Sequence, residues 1–255
     1  MTSAPARAVL GKGAERMSIL GFAVVEESGL PLEALAWRCF RDAVGETLFD
    51  TSAVVMASCD ALDARGISCM AVSGMLASVA DEQTRVGDAA WAMLLAAALL
   101  GGRHDRVAVL AWEKPEDFQS GLTAMSGDPN YQRPIGWTAG IEGSLLRSMA
   151  SGTARVETEV RHASDRAACL VLGREDAIPG AGGISITCSL RRGLPPRDAS
   201  SGGHDSLDMP VASPVEPLVR IISEISSLGR RGEGQSRLLI PTADQCHFDM
   251  TVSHA

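Results

Sequence analysis

Aromatic side chains are scarce in this chain, with one Tyr, four Trp and five Phe among 255 residues. That excludes an aromatic-rich binding surface and leaves close packing through abundant Ala and Gly. An excess of basic charge is also lacking. Lys and Arg number 23 against 31 Asp and Glu, for a net charge of −8. Nucleic-acid binding needs clustered cations to neutralise phosphates, so it is excluded as a role. The doublets Arg191-Arg192 and Arg230-Arg231 read as solvated loop charge. None of the six cysteines forms CxxC or another metal-type spacing, so no zinc site is expected. Cys169 and Cys188 lie inside apolar runs and read as small buried hydrophobes, with reduced thiols in a cytoplasmic protein. No apolar run is long enough for a membrane span: the longest, Ala89–Leu100, stops at Gly101-Gly102, where about 20 residues are required. The first residues lack the apolar stretch of a signal peptide. Gly180–Gly183 lacks the Lys-Ser/Thr of a phosphate loop, and the stretch around His204 lacks a nucleophile elbow.

Hydrophobic residues make up 45% of the sequence, enough for a packed core. After a leader at 1–16, Met17–Val25 reads as a strand buried on both faces. Leu30–Val44 has helical periodicity, with Leu32, Leu35, Ala36, Cys39, Phe40 and Ala43 on one face. Thr51–Ser58 reads as a second buried strand and Ile67–Val79 as a short helix. Residues 80–88 read as a loop that leads into a helix at Ala89–Leu100. Asp88 is placed to cap that helix and Gly101-Gly102 to stop it. Arg106–Trp112 is a third buried strand, with Glu113-Lys114 and Glu116-Asp117 as its solvated end. Alternating strands and helices predict a mostly parallel sheet with right-handed crossovers. Lys114–Trp137 reads as a loop and Ala139–Met149 as a short helix. Ala167–Leu172 and Ile184–Leu190 read as adjacent strands, and Gly193–Asp208 as a loop. Pro214–Leu228 is a helix with Val215, Leu218, Val219, Ile222, Ile225 and Leu228 on one face. Arg237–Ile240 and Asp249–Ser253 read as a closing strand or hairpin. The order of elements repeats loosely, which fits an internal duplication.

Several of these segments resemble the thiolase superfamily of thiolases, ketosynthases and sterol-carrier-type thiolase-like subunits. Residues 50–68, DTSAVVMASCDALDARGIS, are similar to the family's strand and turn, and 89–114 to its active-site helix and following strand. Asn130–Gly136 resembles a short loop motif, and 209–231 the helix after the family's Gly-His-Pro motif. The resemblance implies an α/β fold of two similar halves stacked as αβαβα layers. The halves would be 17–120 and 166–255, with a reduced loop domain at 121–165.

Family chemistry needs a cysteine thiolate at a helix N-terminus, activated by the helix dipole and a nearby His. Anchoring the resemblance on Gly102 and Glu113 places that position near Arg85, within Gln83–Gly87. No cysteine lies there, and Thr84 has no evident base. The nearest cysteine, Cys69, falls in another segment and reads more simply as a packing residue. The Gly-His-Pro histidine falls near Met209-Pro210, where none exists. His204 sits close by in a glycine-rich loop and is a weak candidate. His247 follows Cys246, but neighbours in a strand point to opposite faces, which disfavours a Cys-His pair. His104 and His162 read as turn or surface residues.

Three readings follow. The first is a non-catalytic subunit of the chain-length-factor type. It would support a catalytic thiolase or ketosynthase partner as a heterodimer, or form a self-dimer, in lipid or polyketide-type carbon–carbon bond formation. Its apolar segment Ile67–Val79 would suit the interface. The second is an enzyme on the same fold, condensing or retro-aldol, with a general base such as His204 or Tyr131. The third is an unrelated α/β module that binds a small ligand. No tightly bound cofactor is expected. Acyl-CoA or the phosphopantetheine of an acyl carrier protein would enter as substrate.

Overall fold

A computed structural model describes residues 16–27, 29–45, 53–58, 67–86, 89–102, 104–113, 165–174, 183–192, 215–241 and 246–254. The expected segments at 114–164 and 193–214, with His162, His204, Tyr131 and Asp88, lie outside the described residues.

The elements in chain order are β1 (Arg16–Glu26), α1 (Leu32–Val44), β2 (Ala53–Ala57), α2 (Ile67–Leu76), β3 (Glu82–Val86), α3 (Ala89–Leu100) and β4 (Arg106–Glu113). They continue with β5 (Arg166–Arg174), β6 (Ile184–Arg192), α4 (Glu216–Arg231), β7 (Gly234–Pro241) and β8 (Cys246–His254). The strands form one sheet in the order β3-β2-β4-β5-β1-β6-β8-β7. Helices α1 and α2 pack on one face of it, over Val54, Met56, Leu110, Trp112 and Cys169. Helices α3 and α4 pack on the other, over Val55, Val109, Leu170, Ile186 and Met250. The sheet is therefore a mixed α/β core with helices on both faces, as the fold class expected.

Helix α1 buries the stripe its periodicity predicts: Leu35, Ala36, Cys39 and Phe40 are sealed from solvent. Helix α3 is mostly Ala and Leu, with Trp91 and Met93 among them, and it buries residues on several sides because the sheet covers it on one side and helix α4 packs beside it. Helix α4 is amphipathic. It buries Leu218, Ile221, Ile222, Ile225 and Leu228, has Pro217 in its first turn and stops at Gly232, whose φ of 82° suits glycine.

Three expectations are corrected. The sheet is not mostly parallel: only β2–β3 and β2–β4 are parallel, and the other five pairings are antiparallel. A strand buried on both faces reads as a continuous apolar run whichever way its neighbours point. The strands β5 and β6 are not adjacent, because β1 lies between them. It pairs with β5 from Met17 to Glu26 and with β6 only from Arg16 to Ser18. Finally, β1 is buried on both faces only over its first half. Beyond the bulge at Ile19/Gly21 it alternates, with Phe22 and Val24 exposed among the described residues.

The two halves share a plan. In the first, helix α3 leads to β4, then to the antiparallel β5, which pairs with the opening strand β1. The sheet thus joins β5 to the strands of 17–120 and not to the rest of 166–255, the half expected for it from the sequence. In the second, α4 leads to β7, then to the antiparallel β8, which pairs with the opening strand β6. The opening strands pair antiparallel with each other, as a twofold relation requires. Counterparts of α1, β2, α2 and β3 are not among the described residues of the second half.

Candidate functional site

The parallel strands β2, β3 and β4 end on one rim of the first half, and α3 begins there directly after β3. The start of α4 comes to the same rim. Its first residue, Glu216, accepts a hydrogen bond of 3.0 Å from Nη2 of Arg166, the first residue of β5. The Nε of Arg166 donates to Glu113, its cross-strand partner at the end of β4. In the corresponding contact of the other half, Trp91 in the first turn of α3 meets Phe248 near the start of β8. Their ring centroids are 5.3 Å apart and edge-on. Both central helices therefore begin at one place, where strand ends from both halves converge. Helix N-termini carry partial positive charge, so negative groups are favoured at this rim. Glu216, in the first turn of α4, uses that field.

The polar centre of the rim is the cluster Glu113–Arg166–Glu216. The first two side chains are 6% and 4% exposed, and Glu216 is partly open at 26%. Glu113 is thus a buried ion-pair member and not the solvated strand end its sequence context indicated. Sequence reasoning missed Arg166 as well. It looks like the polar edge of an apolar run, and only the register β4–β5 brings it opposite Glu113.

The position near Arg85 lies in β3, not in a loop: Gln83, Thr84 and Arg85 pair with Val54, Val55 and Met56 of β2. The side chain of Gln83 turns to α2, where its Oε1 accepts from Ser73 Oγ at 2.5 Å and its Nε2 donates to the Ser73 carbonyl at 3.1 Å. Between Glu82 and Leu100 there is no Cys, Ser or His. Cys69 is a fully buried residue of α2, on the face of the sheet opposite α3 and α4. His247 is buried at the start of β8 and lies across from Arg191 and Pro241. Its neighbour on that same outer face, Asp249, is held by Arg237 at 2.8 and 2.7 Å and by Arg191 at 2.7 Å. Cys69, on α2, and His247, on β8, therefore lie in different parts of the fold and form no joint site. His104 is not a surface residue: it is 8% exposed, and its Nε2 lies 2.9 Å from Glu82 Oε2.

The thiols resolved elsewhere are poor nucleophiles. Burial pushes Cys39 and Cys188 up to about 12, with Asp42 and Asp249 adding to the effect. Burial and the nearby Cys39 raise Cys169 well above the ordinary thiol value. A thiol held neutral neither attacks a thioester nor binds a metal readily.

No family model matches the sequence, and no curated protein is similar to it at a significant level. Solved structures are similar in fold. One is 3-oxoacyl-(acyl carrier protein) synthase III, FabH, of Xanthomonas oryzae pv. oryzae, at 13% identity and a TM-score of 0.57 over 94% of this chain and 99% of that one. Another is cerulenin-bound OleA of Xanthomonas campestris, at 13% identity and a TM-score of 0.58 over 96% and 98%. Acetamide-bound OleA gives 12% identity and a TM-score of 0.58 over 94% and 100%. At such identities the likeness speaks to fold alone. This chain has the thiolase-like α/β fold that FabH and OleA share.

Proposed function

We propose that this chain is a ketosynthase-like subunit that supplies no nucleophile of its own and supports a condensing partner acting on acyl thioesters. One observation carries the reading: the stretch from β3 through α3 reaches the rim with no Cys, Ser or His from Glu82 to Leu100. Covalent acyl transfer requires a nucleophile with a base in reach, and the rim instead holds Glu113, Arg166 and Glu216 as an ion cluster.

The surface of the first half supports a partner role. From Ile67 to Ala80 the sequence has no charged residue, yet α2 exposes Met70 at 58% and Met75 at 38%. The adjoining β3 is the last strand of the sheet. An uncharged, methionine-bearing helix beside an edge strand is the kind of face that a second chain of this fold would cover. The partner would be a catalytic thiolase or ketosynthase homologue, or a second copy. Its substrate would be an acyl-CoA or an acyl carrier protein, in lipid or polyketide-type biosynthesis.

The test is co-expression with a catalytic ketosynthase homologue from the same genome, followed by purification on a tag placed on this chain alone. A stoichiometric complex is expected, with condensation activity only when both chains are present. Turnover of acyl-CoA by the isolated chain, abolished by His204→Ala or Cys69→Ala, would refute the reading in favour of an enzyme with unconventional residues.

A further inference from the structure

The outer sheet faces of the two halves carry different chemistry. In the first half, successive cross-strand rows on that face read Leu110, Cys169 and Ala23, then Trp112, Ala167 and Val25, and they pack against α1. In the second half, β6, β8 and β7 turn Ile186, Cys188, Leu238, Phe248 and Met250 inward. Alternation along the strands therefore sends Thr187, Ser189, Arg191, Asp249, Thr251 and Arg237 outward. Hydroxyls and charges would lose their hydration under an apolar helix, so this face suits water or a polar ligand. Arg191 lies in β6 and is not the loop charge its sequence context indicated.

Asp249 organises the centre of this face. It pairs with Ser189, while Arg191 stands one outward row to one side of it and Arg237 one row to the other. Its carboxylate is 8% exposed, whereas the two arginine side chains are 61% and 54% exposed. Arg237 donates from Nε and Nη2 at 2.8 and 2.7 Å, and Arg191 donates from Nε at 2.7 Å. Arg191 Nε and Arg237 Nη2 reach the same oxygen, so the two guanidinium groups are held close together. The bidentate Arg237 alone matches the charge and geometry of a carboxylate. A second, exposed guanidinium adds little as an ion pair, and it leaves two positive charges against one negative. Nη1 of Arg237 and both Nη atoms of Arg191 find no acceptor among the described residues. Thr251 lies directly across from Arg237, with Thr187 beyond it on β6.

We propose that Arg191 and Arg237, held by Asp249, form a binding site for the phosphate group of a small molecule. A tetrahedral oxyanion can accept from two guanidinium groups and a hydroxyl at once, where a planar carboxylate meets one fork. The added anion offsets the charge that Asp249 leaves uncompensated. Asp249 is a positioning residue, kept ionised chiefly by its hydrogen bond from Arg237. Two cations on a chain of net charge −8 are too few for a nucleic-acid backbone. The site faces away from α3 and α4, and the inference does not depend on the proposed partner role.

Phenylglyoxal modification of the full chain, read residue by residue by mass spectrometry, tests the site at constant ionic strength with inorganic phosphate, acetate or chloride. Phosphate is expected to slow modification of Arg191 and Arg237 together and saturably, leaving the exposed Arg38 and Arg174 unaffected, while acetate protects far less. Arg237→Lys keeps the charge and loses the planar fork. It should raise the phosphate concentration that protects Arg191 by about tenfold or more. Equal protection at Arg38 and Arg174, or equal protection by acetate, would overturn the site. An unchanged phosphate requirement in Arg237→Lys would overturn it as well.

Discussion

Gly21 and Gly74 give a paired test of the packing, because the same methyl group should have opposite effects at the two sites. At the β1 bulge, a Cβ on Gly21 would lie 2.2 Å from the carbonyl oxygen of Ala43 and 3.3 Å from its carbon. An ordinary contact is roughly 1 Å longer, so the end of α1 would have to move away from the sheet by about that distance. The clashing atom belongs to the backbone and has no rotamer to escape into. Overpacking of this kind costs typically 1–3 kcal/mol, and the rigidity of the site puts Gly21→Ala near the top, at about 3 kcal/mol. Gly74 lies within α2 and is exposed, with nothing within 4 Å of its virtual Cβ. There the change removes backbone freedom from the unfolded chain and improves helix propensity, so Gly74→Ala should stabilise by about 0.5–1 kcal/mol. Urea denaturation followed by far-ultraviolet circular dichroism measures both. With a slope of about 2–3 kcal/mol/M, the midpoint of Gly21→Ala should fall by roughly 1–1.5 M while that of Gly74→Ala rises slightly. A Gly21→Ala midpoint within about 0.2 M of the parent, at unchanged slope, would show that α1 does not cross β1 at this distance.

Removing the centre of the rim cluster alone should be far more damaging than replacing it whole. Arg166→Met strands a buried Glu113 and is expected to lose about 3–5 kcal/mol by denaturant titration, whereas the apolar triple variant Glu113→Leu, Arg166→Met, Glu216→Leu should lose less or gain. Equal losses would argue that the cluster stabilises in the ordinary way. Asp249 is held below the usual carboxylate range by its hydrogen bonds from Arg237, with Arg191 adding to the effect against the opposing influence of burial. Its contribution is therefore present above the unfolded carboxyl value and lost as pH falls through the folded one. Asp249→Asn should flatten the loss of stability on acidification below about pH 4, and an unchanged acid limb in thermal melts would contradict this. The raised thiols work in the opposite sense. Because Cys39 and Cys188 stay protonated up to about 12 in the folded chain, stability should decline as pH rises above the unfolded value of 9.0. Iodoacetamide at pH 8 should leave Cys39, Cys169 and Cys188 unmodified in the native protein and label them after denaturation, as read by mass spectrometry. Native-state labelling of any of the three would place it outside the core.

The parts of this protein legible in the sequence are those written in local periodicity. Helices α1, α3 and α4 and the buried strands β2, β4, β5 and β6 announce themselves by where Leu, Ile, Val and Ala recur, and Gly101-Gly102 marks a helix end that the structure keeps, whereas α4 runs past its expected end at Leu228 to Arg231. Strand β3 was not legible. Glu82–Val86 is polar and short, and it becomes a strand because β2 offers it a parallel edge and Ser73 on α2 holds Gln83. The rim was half legible: the sequence alone shows that no cysteine lies between Glu82 and Ala89, but not what stands in that region instead. Glu113, Arg166 and Glu216 are far apart along the chain, and each resembles ordinary surface charge where it occurs.

By itself, then, the sequence determined which segments become helices or buried strands and what chemistry the residues before α3 can offer. Both follow from side-chain type and spacing over one or two turns. Only the tertiary structure decided strand order and direction, the insertion of β1 between β5 and β6, and the meeting of α3 and α4 at one rim. Those outcomes depend on which backbone edges and charges meet across long stretches of chain, and apolar patterning does not distinguish one partner from another when all of them are buried.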